Sequence, residues 1–251
     1  MKLSSSTVLL RTLAVLFVAA VPLFLVSNSV SWAVNDMRLY SHGFDKYDIA
    51  RVTGIERDDL MEAARQIRGY FNSNREPLEV STRIFGEERD LFNEIEVLHM
   101  YDVKRLIRGV YGVDIFAAAY LLGFIGLGFV VYRRLFLERL FRLLLWGSSL
   151  TVAIVLMVGL MSLVDFESLF LFFHESSFSN DFWRLDPNRD FLLMMFPDGF
   201  WFDATIFVAL ATVGQALALA CLGWSLVALR RWQERRGREP LVQAPSKATG
   251  L

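Results

Sequence analysis

The sequence predicts an all-α integral membrane protein: four transmembrane helices, a helical extracytoplasmic cap, and an aromatic-rich interfacial loop. Three observations predict it. Apolar residues make up 54% of the 251, against about 45–50% for a soluble domain, and the mean hydropathy is +0.39. Four stretches supply the roughly 20 apolar residues that a helix needs to cross a hydrocarbon core about 30 Å thick. The acidic and histidine-bearing sequence is gathered between these stretches. Strands are not an alternative, because an open sheet leaves backbone groups unpaired in lipid and a closed barrel needs many alternating segments.

In chain order, the first span covers residues 12–34. Lys2 and Arg11 precede it and Ser31-Trp32-Ala33 loosely resembles a cleavage site. The apolar run nevertheless exceeds the 7–15 or so residues of a signal-peptide core, so a retained anchor is expected. A cap follows over 35–112, then the second span, 113–132. A basic loop over 133–142 holds Arg133, Arg134, Arg139 and Arg142 against Glu138. The third span is 143–164. An interfacial loop over 165–203 carries eight acids against Arg184 and Arg189. The fourth span, 204–229, leads into a basic tail, 230–251. Basic short loops stay cytoplasmic, which gives an N-in, C-in arrangement. Lys104, Arg105 and Arg108 then fall outside, on a long loop where charge has less control, and a lipid phosphate is one group they would meet. Small residues, Gly123, Gly126 and Gly128 in the second span and Gly147, Ser148, Ser149 and Gly159 in the third, would let helices approach closely.

Within the cap, Thr53-Gly54-Ile55-Glu56 reads as a capping box. Leu60, Ala64, Ile67 and Phe71 give the helix after it one apolar face. Residues 72–77 read as a loop. A second amphipathic helix is expected from about Glu87 to Val110, with Leu91, Ile95, Leu98, Leu106 and Val110 as its stripe. Glu96, His99 and Asp102 line one side of that helix. The interfacial loop is greasy but broken by Asp186-Pro187 and Pro197-Asp198, and His174, Glu175, Asn180 and Asp181 are embedded in it.

Composition and motifs exclude several classes. A net charge of −1 gives no bulk attraction for nucleic acid. Cys221 is the single cysteine, so neither an internal disulfide nor a cysteine zinc site exists. His174-Glu175 is not followed by a metalloprotease pattern, and no P-loop or nucleophile elbow is present. Glu96-x-x-His99 matches half of a di-iron pattern without a second copy; a metal site from His99, His174 and carboxylates is the lesser reading, and neither metal nor cofactor is expected. His42 lies in a polar stretch and reads as ordinary surface. His99 and His174 lie on the same outer face, each in apolar surroundings with acids nearby. They can converge on one cleft, where histidine is the natural proton carrier near neutral pH.

The run Glu96-Val97-Leu98-His99-Met100-Tyr101-Asp102-Val103-Lys104 resembles the E-x-x-H-M-x-D-V-K signature of the bacterial lipoprotein intramolecular transacylase family. Phe173-His174, Asn180-Asp181-x-Trp183-x-Leu185-Asp186-Pro187, Asp190 and Phe196-Pro197 resemble its second signature. The resemblance covers essentially the whole chain and implies a four-span enzyme of the cytoplasmic membrane with its active face outside. It further implies transfer of the sn-2 acyl chain of a diacylglyceryl lipoprotein to the α-amine of its N-terminal cysteine, leaving a lyso lipoprotein. Implied catalytic residues are His99 and His174, with Asp102 and Asp181 as candidates to fix histidine tautomers. Glu96, Lys104, Asn180, Trp183 and Arg105 are implied to bind substrate or assist the oxyanion. The partners expected are the diacylglyceryl lipoprotein and membrane lipids, with the oligomeric state left open. A lipid-ester hydrolase using the same cleft, and a non-enzymatic envelope sensor or accessory subunit, are the alternatives.

Overall fold

A computed structural model describes residues 5–236; Lys2 and the part of the expected basic tail beyond residue 236 lie outside the described residues. The chain runs α1 (Ser5–Asn35), α2 (Met37–Lys46), α3 (Ile49–Thr53), α4 (Arg57–Phe71), β1 (Ser81–Ile84), β2 (Glu87–Asp90), α5 (Glu94–Tyr132), a 3-10 turn (Arg133–Leu135), α6 (Phe136–Val164), α7 (Phe166–Ser177), α8 (Phe191–Met195) and α9 (Asp198–Arg236). Among the described residues, α1, α5, α6 and α9 are long and apolar enough to cross a membrane. They leave Ile115, Phe116, Leu122, Val130, Trp146 and Val164 exposed. Apolar patches of that extent are unstable in water but suit lipid tails. The protein is integral to a membrane.

Helix α1 is the centre of the bundle, touching α5, α6 and α9, while α6 packs most extensively on α9. Phe17, Val21, Leu25, Leu121, Phe136, Leu140 and Ala216 form the buried core between these helices. Hydrogen bonds lock α1 to α9: Thr212 Oγ1 donates to Ser29 Oγ at 2.8 Å, and Gln215 Nε2 donates to the same oxygen at 2.9 Å. In a membrane, where apolar burial drives helix pairing little, such bonds and close packing carry association. Gly147 provides the close packing: a Cβ there would lie 2.7 Å from the Val21 side chain. Gly128 is covered by the Phe136 ring, while Gly123, Gly126 and Gly159 face open space. The small residues of the spans therefore serve helix contact only in part.

The cap has a core of its own. Tyr40, Phe44, Ile55, Leu60, Ile67, Phe71 and Ile84 pack with Leu192, Met195, Phe196 and Phe200, so the two segments between spans share one core. Lys46 and Tyr47 fasten the cap to α9 through Asp203, at 2.7 Å and 2.9 Å.

Several expectations are corrected. Thr53 does not cap α4: it ends α3, its hydroxyl bonding Ile49 O. Gly54, in the left-handed region at φ 70°, closes α3 instead, and α4 is preceded by Glu56 with no side-chain cap. The helix expected from Glu87 starts at Glu94, because Glu87–Asp90 pairs with Ser81–Ile84 as an antiparallel hairpin. Its two-residue loop, Phe85-Gly86, has positive φ at both positions, the twist that tight hairpins favour. The capping box stands at Asn93 and Glu96, each side chain bonding the other's backbone N–H. From there α5 runs unbroken through both the expected cap helix and the second span. The loop after Val164 also contains the regular helix α7.

Replacing Gly147 by valine would force a branched side chain against Val21, an overpacking that costs about 1–3 kcal/mol. Gly159→Ala, which meets nothing within 4 Å, is expected to hold or raise the melting temperature. Thermal unfolding of both variants in one detergent checks the contrast.

Candidate active site

The site is built where the top of α5 meets α7 and the segment after it. A helix starting at the Asn93 cap brings His99 and Asp102 onto neighbouring faces, three residues apart. Helix α7 begins at Asp165, whose side chain accepts from Ser168 N–H at 3.0 Å, and carries His174 in its last turn. The two imidazoles are brought together, with ring centroids 6.2 Å apart. Both rings are buried, at 7% and 9% exposure.

Aromatic rings surround them. Phe178 stands edge-on to His99 at 5.2 Å and lies 5.6 Å from His174. Phe170, Phe173 and Trp183 approach His174 at 4.3, 5.3 and 5.1 Å. Burial in this setting holds the His174 imidazole below its ordinary pKa of 6.5, against the carbonyl of Phe170 and the more distant Asp198, which favour the cation. His174 is therefore neutral at pH 7.

Its tautomer follows from one bond. His174 Nδ1 lies 2.8 Å from Phe170 O, and a carbonyl oxygen only accepts. The proton is on Nδ1, which leaves the lone pair of Nε2 free. His99 differs: its Nδ1 is buried and has no hydrogen-bond partner among the described residues, which is costly for a ring nitrogen.

The other expected residues divide. Asp102 accepts from Asn180 Nδ2 at 2.8 Å, and Asn180 Oδ1 accepts from Phe182 N–H at 3.1 Å. This pair stitches the segment after α7 onto α5 beside the histidines. Asp102 thus holds Asn180 rather than bonding an imidazole. Asp181 turns outward, 80% exposed, and pairs with Arg184 at 3.0 Å; the tautomer of His174 is set by a backbone carbonyl instead. Trp183 lies against His174. Lys104 points to another side: its Nζ donates to Arg75 O at 2.6 Å, pairs with Glu76 at 2.9 Å and sits over the Tyr70 ring at 3.8 Å. Arg105 is exposed.

Glu96 is an internal clasp. One oxygen accepts Asn93 N–H and the other Leu192 N–H, both at 2.7 Å. Fully buried Asp190 completes it, accepting from Asn93 Nδ2 at 2.9 Å, Asp186 N–H at 2.7 Å and Arg189 Nε at 3.0 Å. Burial opposes the charge on Asp190, but the bonds from Arg189, Asp186 and Asn93 outweigh it and hold the carboxyl below its usual range. Sequence reasoning missed Asn93, Phe170 and Phe178 as parts of this region. The i, i+4 spacing of Phe170, His174 and Phe178 was the available signal. Among the described residues, no group of three or more His, Cys, Asp or Glu side chains is placed to hold a metal ion.

Residues 15–201 match the family model of the lipoprotein intramolecular transacylase Lit. The chain belongs to that family. It is an enzyme, a lipoprotein intramolecular transacylase. A protein of Aquifex aeolicus (strain VF5), described as uncharacterized, is 27% identical over 157 residues, which are 62% of this chain and 68% of that protein. The fold is that of the integral membrane transacylase Lit from Bacillus cereus, with a TM-score of 0.75 at 21% identity over 88% of this chain and 97% of that one. A variant of the Bacillus cereus protein with one histidine replaced by arginine gives 0.72 at 19% identity, covering 89% and 94%. Its alanine counterpart gives 0.71 at 20%, covering 88% and 95%.

Glu96→Gln leaves one oxygen for two backbone N–H donors. The orphaned donor is expected to cost about 1–3 kcal/mol. A lower melting temperature for the variant, with the helical circular dichroism signal retained at low temperature, checks this.

Proposed function

We propose that His174 is the general base and His99 the oxyanion donor for transfer of the sn-2 acyl chain to the α-amine of a diacylglyceryl lipoprotein. The observation that carries the assignment is the bond between His174 Nδ1 and Phe170 O at 2.8 Å. It leaves a basic Nε2 on a ring whose centroid is 6.2 Å from that of a second histidine, whose Nδ1 has no partner among the described residues. The family's reaction is intramolecular, so the nucleophile comes with the substrate and no serine or cysteine is needed on the enzyme.

The steps balance. The free α-amine of the lipoprotein's N-terminal cysteine attacks the ester carbonyl carbon, and a nitrogen–carbon bond forms. As nitrogen becomes positive, its proton passes to His174 Nε2. Negative charge collects on the former carbonyl oxygen, where the Nδ1–H of His99 donates to it. Collapse breaks the bond to the glycerol oxygen, and His174 returns the proton to that oxygen. The products are an amide and a free glycerol hydroxyl. Phe170, Phe173, Phe178 and Trp183 keep water from competing with the amine, and Asp102 with Asn180 holds the segment after α7 in place. Trp183 and Asn180 are the residues nearest to bind the substrate's polar headgroup region. The membrane is taken as the bacterial cytoplasmic membrane, with both termini inside and the cleft at the outer face, where the ester lies at headgroup depth.

The test is mass spectrometry of a reporter lipoprotein's N-terminal peptide from cells lacking other N-acylating enzymes. The native chain is expected to yield the N-acyl lyso peptide. His174→Ala and His99→Ala are each expected to lower its formation by at least about 100-fold, the usual range for a positioned acid or base or an oxyanion donor. Free fatty acid in place of the N-acyl product would make the enzyme a hydrolase instead.

A second expectation concerns pH. The attacking amine must be unprotonated, with an ordinary pKa of about 7.7–8.0, and His174 must be neutral. Because burial places the His174 pKa below 6.5, the base is already competent at pH 7 and only the amine limits there. The logarithm of the rate is expected to rise with unit slope from about pH 6.5 to about pH 7.7 and to level off above it. Below the His174 pKa the slope steepens towards two. A rate maximum below pH 6.5 would be inconsistent with a neutral histidine base.

A further inference from the structure

The basic residues at the outer end of α5 are only partly used by the cap. Lys104 is neutralised by Glu76. Arg108 donates to Ser73 O and to Asn74 Oδ1, both neutral acceptors, so its charge persists. Arg75 and Arg105 are exposed, Arg68 is half-buried, and none of the three guanidinium groups has a carboxylate partner among the described residues.

Their height is set by the fold. Asn35, the last residue of α1, accepts from Asn72 Nδ2 at 2.8 Å and donates to Tyr111 OH at 2.8 Å. Residues 72–77, held by Lys104 and Arg108, are therefore level with the point where α1 ends. Immediately below, α5 exposes Val113, Ile115 and Phe116, and on α1 Trp32 is exposed. Cationic residues between exposed apolar helix and polar cap, near the height of a tryptophan that packs on Phe207 of α9, sit at headgroup depth.

We propose that Arg68, Arg75, Arg105 and Arg108 form a seat for anionic phospholipid headgroups of the phosphatidylglycerol type. Charge complementarity selects the occupant: guanidinium groups match phosphate oxygens in a two-pronged geometry, and the apolar surface of α5 below receives the acyl chains. The seat is distinct from the histidine cleft, since Arg105 lies about 120° round the helix from His99. It anchors the 72–77 loop and α5 to the headgroup layer and so fixes the depth at which the cleft meets lipid. The inference does not depend on the roles assigned to the two histidines.

The test uses the full-length protein in nanodiscs of phosphatidylcholine with or without phosphatidylglycerol, followed by native mass spectrometry of the lipids retained. Wild type is expected to retain phosphatidylglycerol over phosphatidylcholine, and more weakly as salt rises. Arg75→Gln/Arg105→Gln, both exposed positions, is expected to lower that preference by about 25-fold, since two cations near a membrane contribute about fivefold each. Asp36→Asn/Arg38→Gln, which removes both members of an ion pair and no net charge, serves as the control and should leave the preference unchanged. Equal retention by the arginine double variant, or an equal loss in Asp36→Asn/Arg38→Gln, would overturn the proposal. So would capture of free glycerol phosphate without any preference for phosphatidylglycerol, which would reassign the seat to a soluble phosphate.

Discussion

Two carboxylates withdrawn from solvent, Glu96 and Asp190, join the outer segments of the chain, and the geometry of the histidine pair depends on that join. The segments are separated in sequence by two membrane-crossing helices, α5 and α6. Bringing them together buries polar backbone at a helix start and at the turn before α8. Each buried N–H there would cost free energy if left without an acceptor. Glu96 supplies an acceptor to both segments, to Asn93 N–H on one and Leu192 N–H on the other. Asp190 does the same through Asn93 and Asp186. With the clasp closed, the shared cap core of Phe196 and Phe200 against Tyr40 and Phe44 fixes the segment that carries Asn180 and Trp183.

The cleft gains its chemistry from what surrounds it. Imidazoles in water titrate near 6.5 and exchange partners freely. Here the aromatic rings remove water from His174, and the Phe170 carbonyl one turn earlier on α7 fixes the tautomer. The same backbone that makes α7 helical therefore orients the His174 ring. Local helix geometry places the acceptor four residues back, so the arrangement needs no separate carboxylate. That leaves Asp102 available to hold Asn180.

The bundle beneath has a different task. Helix α1, tied to α9 by the Ser29 hydroxyl and to α6 by the close approach at Gly147, gives α5 and α6 a common support. α5 transmits that support to the cap as one continuous rod, of which about 30 Å is needed for the hydrocarbon core. The remainder stands clear of it, and His99, Arg105 and Arg108 lie on that part. Depth in the membrane and position in the cleft are thus set by one element.

The sequence by itself determined the membrane class, the four apolar stretches and the two histidines of interest. Those properties depend on composition, on length against a fixed bilayer thickness, and on residue types that are rare in greasy surroundings. It also made legible the apolar face of α4, because 3.6-residue periodicity is local. What it left undecided was long-range or conformational. Glu87–Asp90 is polar throughout and shows no alternation, so only pairing with Ser81–Ile84 makes it a strand. Thr53 and Asn93 both precede a glutamate by three residues, and only the left-handed turn at Gly54 decides that the first is a helix end and the second a true cap. Glu96, Lys104 and Asp102 share one motif with His99, yet tertiary contacts from Leu192, Glu76 and Asn180 engage them elsewhere. The distance between two imidazoles, and the nitrogen that bears the proton, depend on how α7 docks against α5. The tertiary structure decided both, because helix packing and a single carbonyl set them rather than any pattern along the chain.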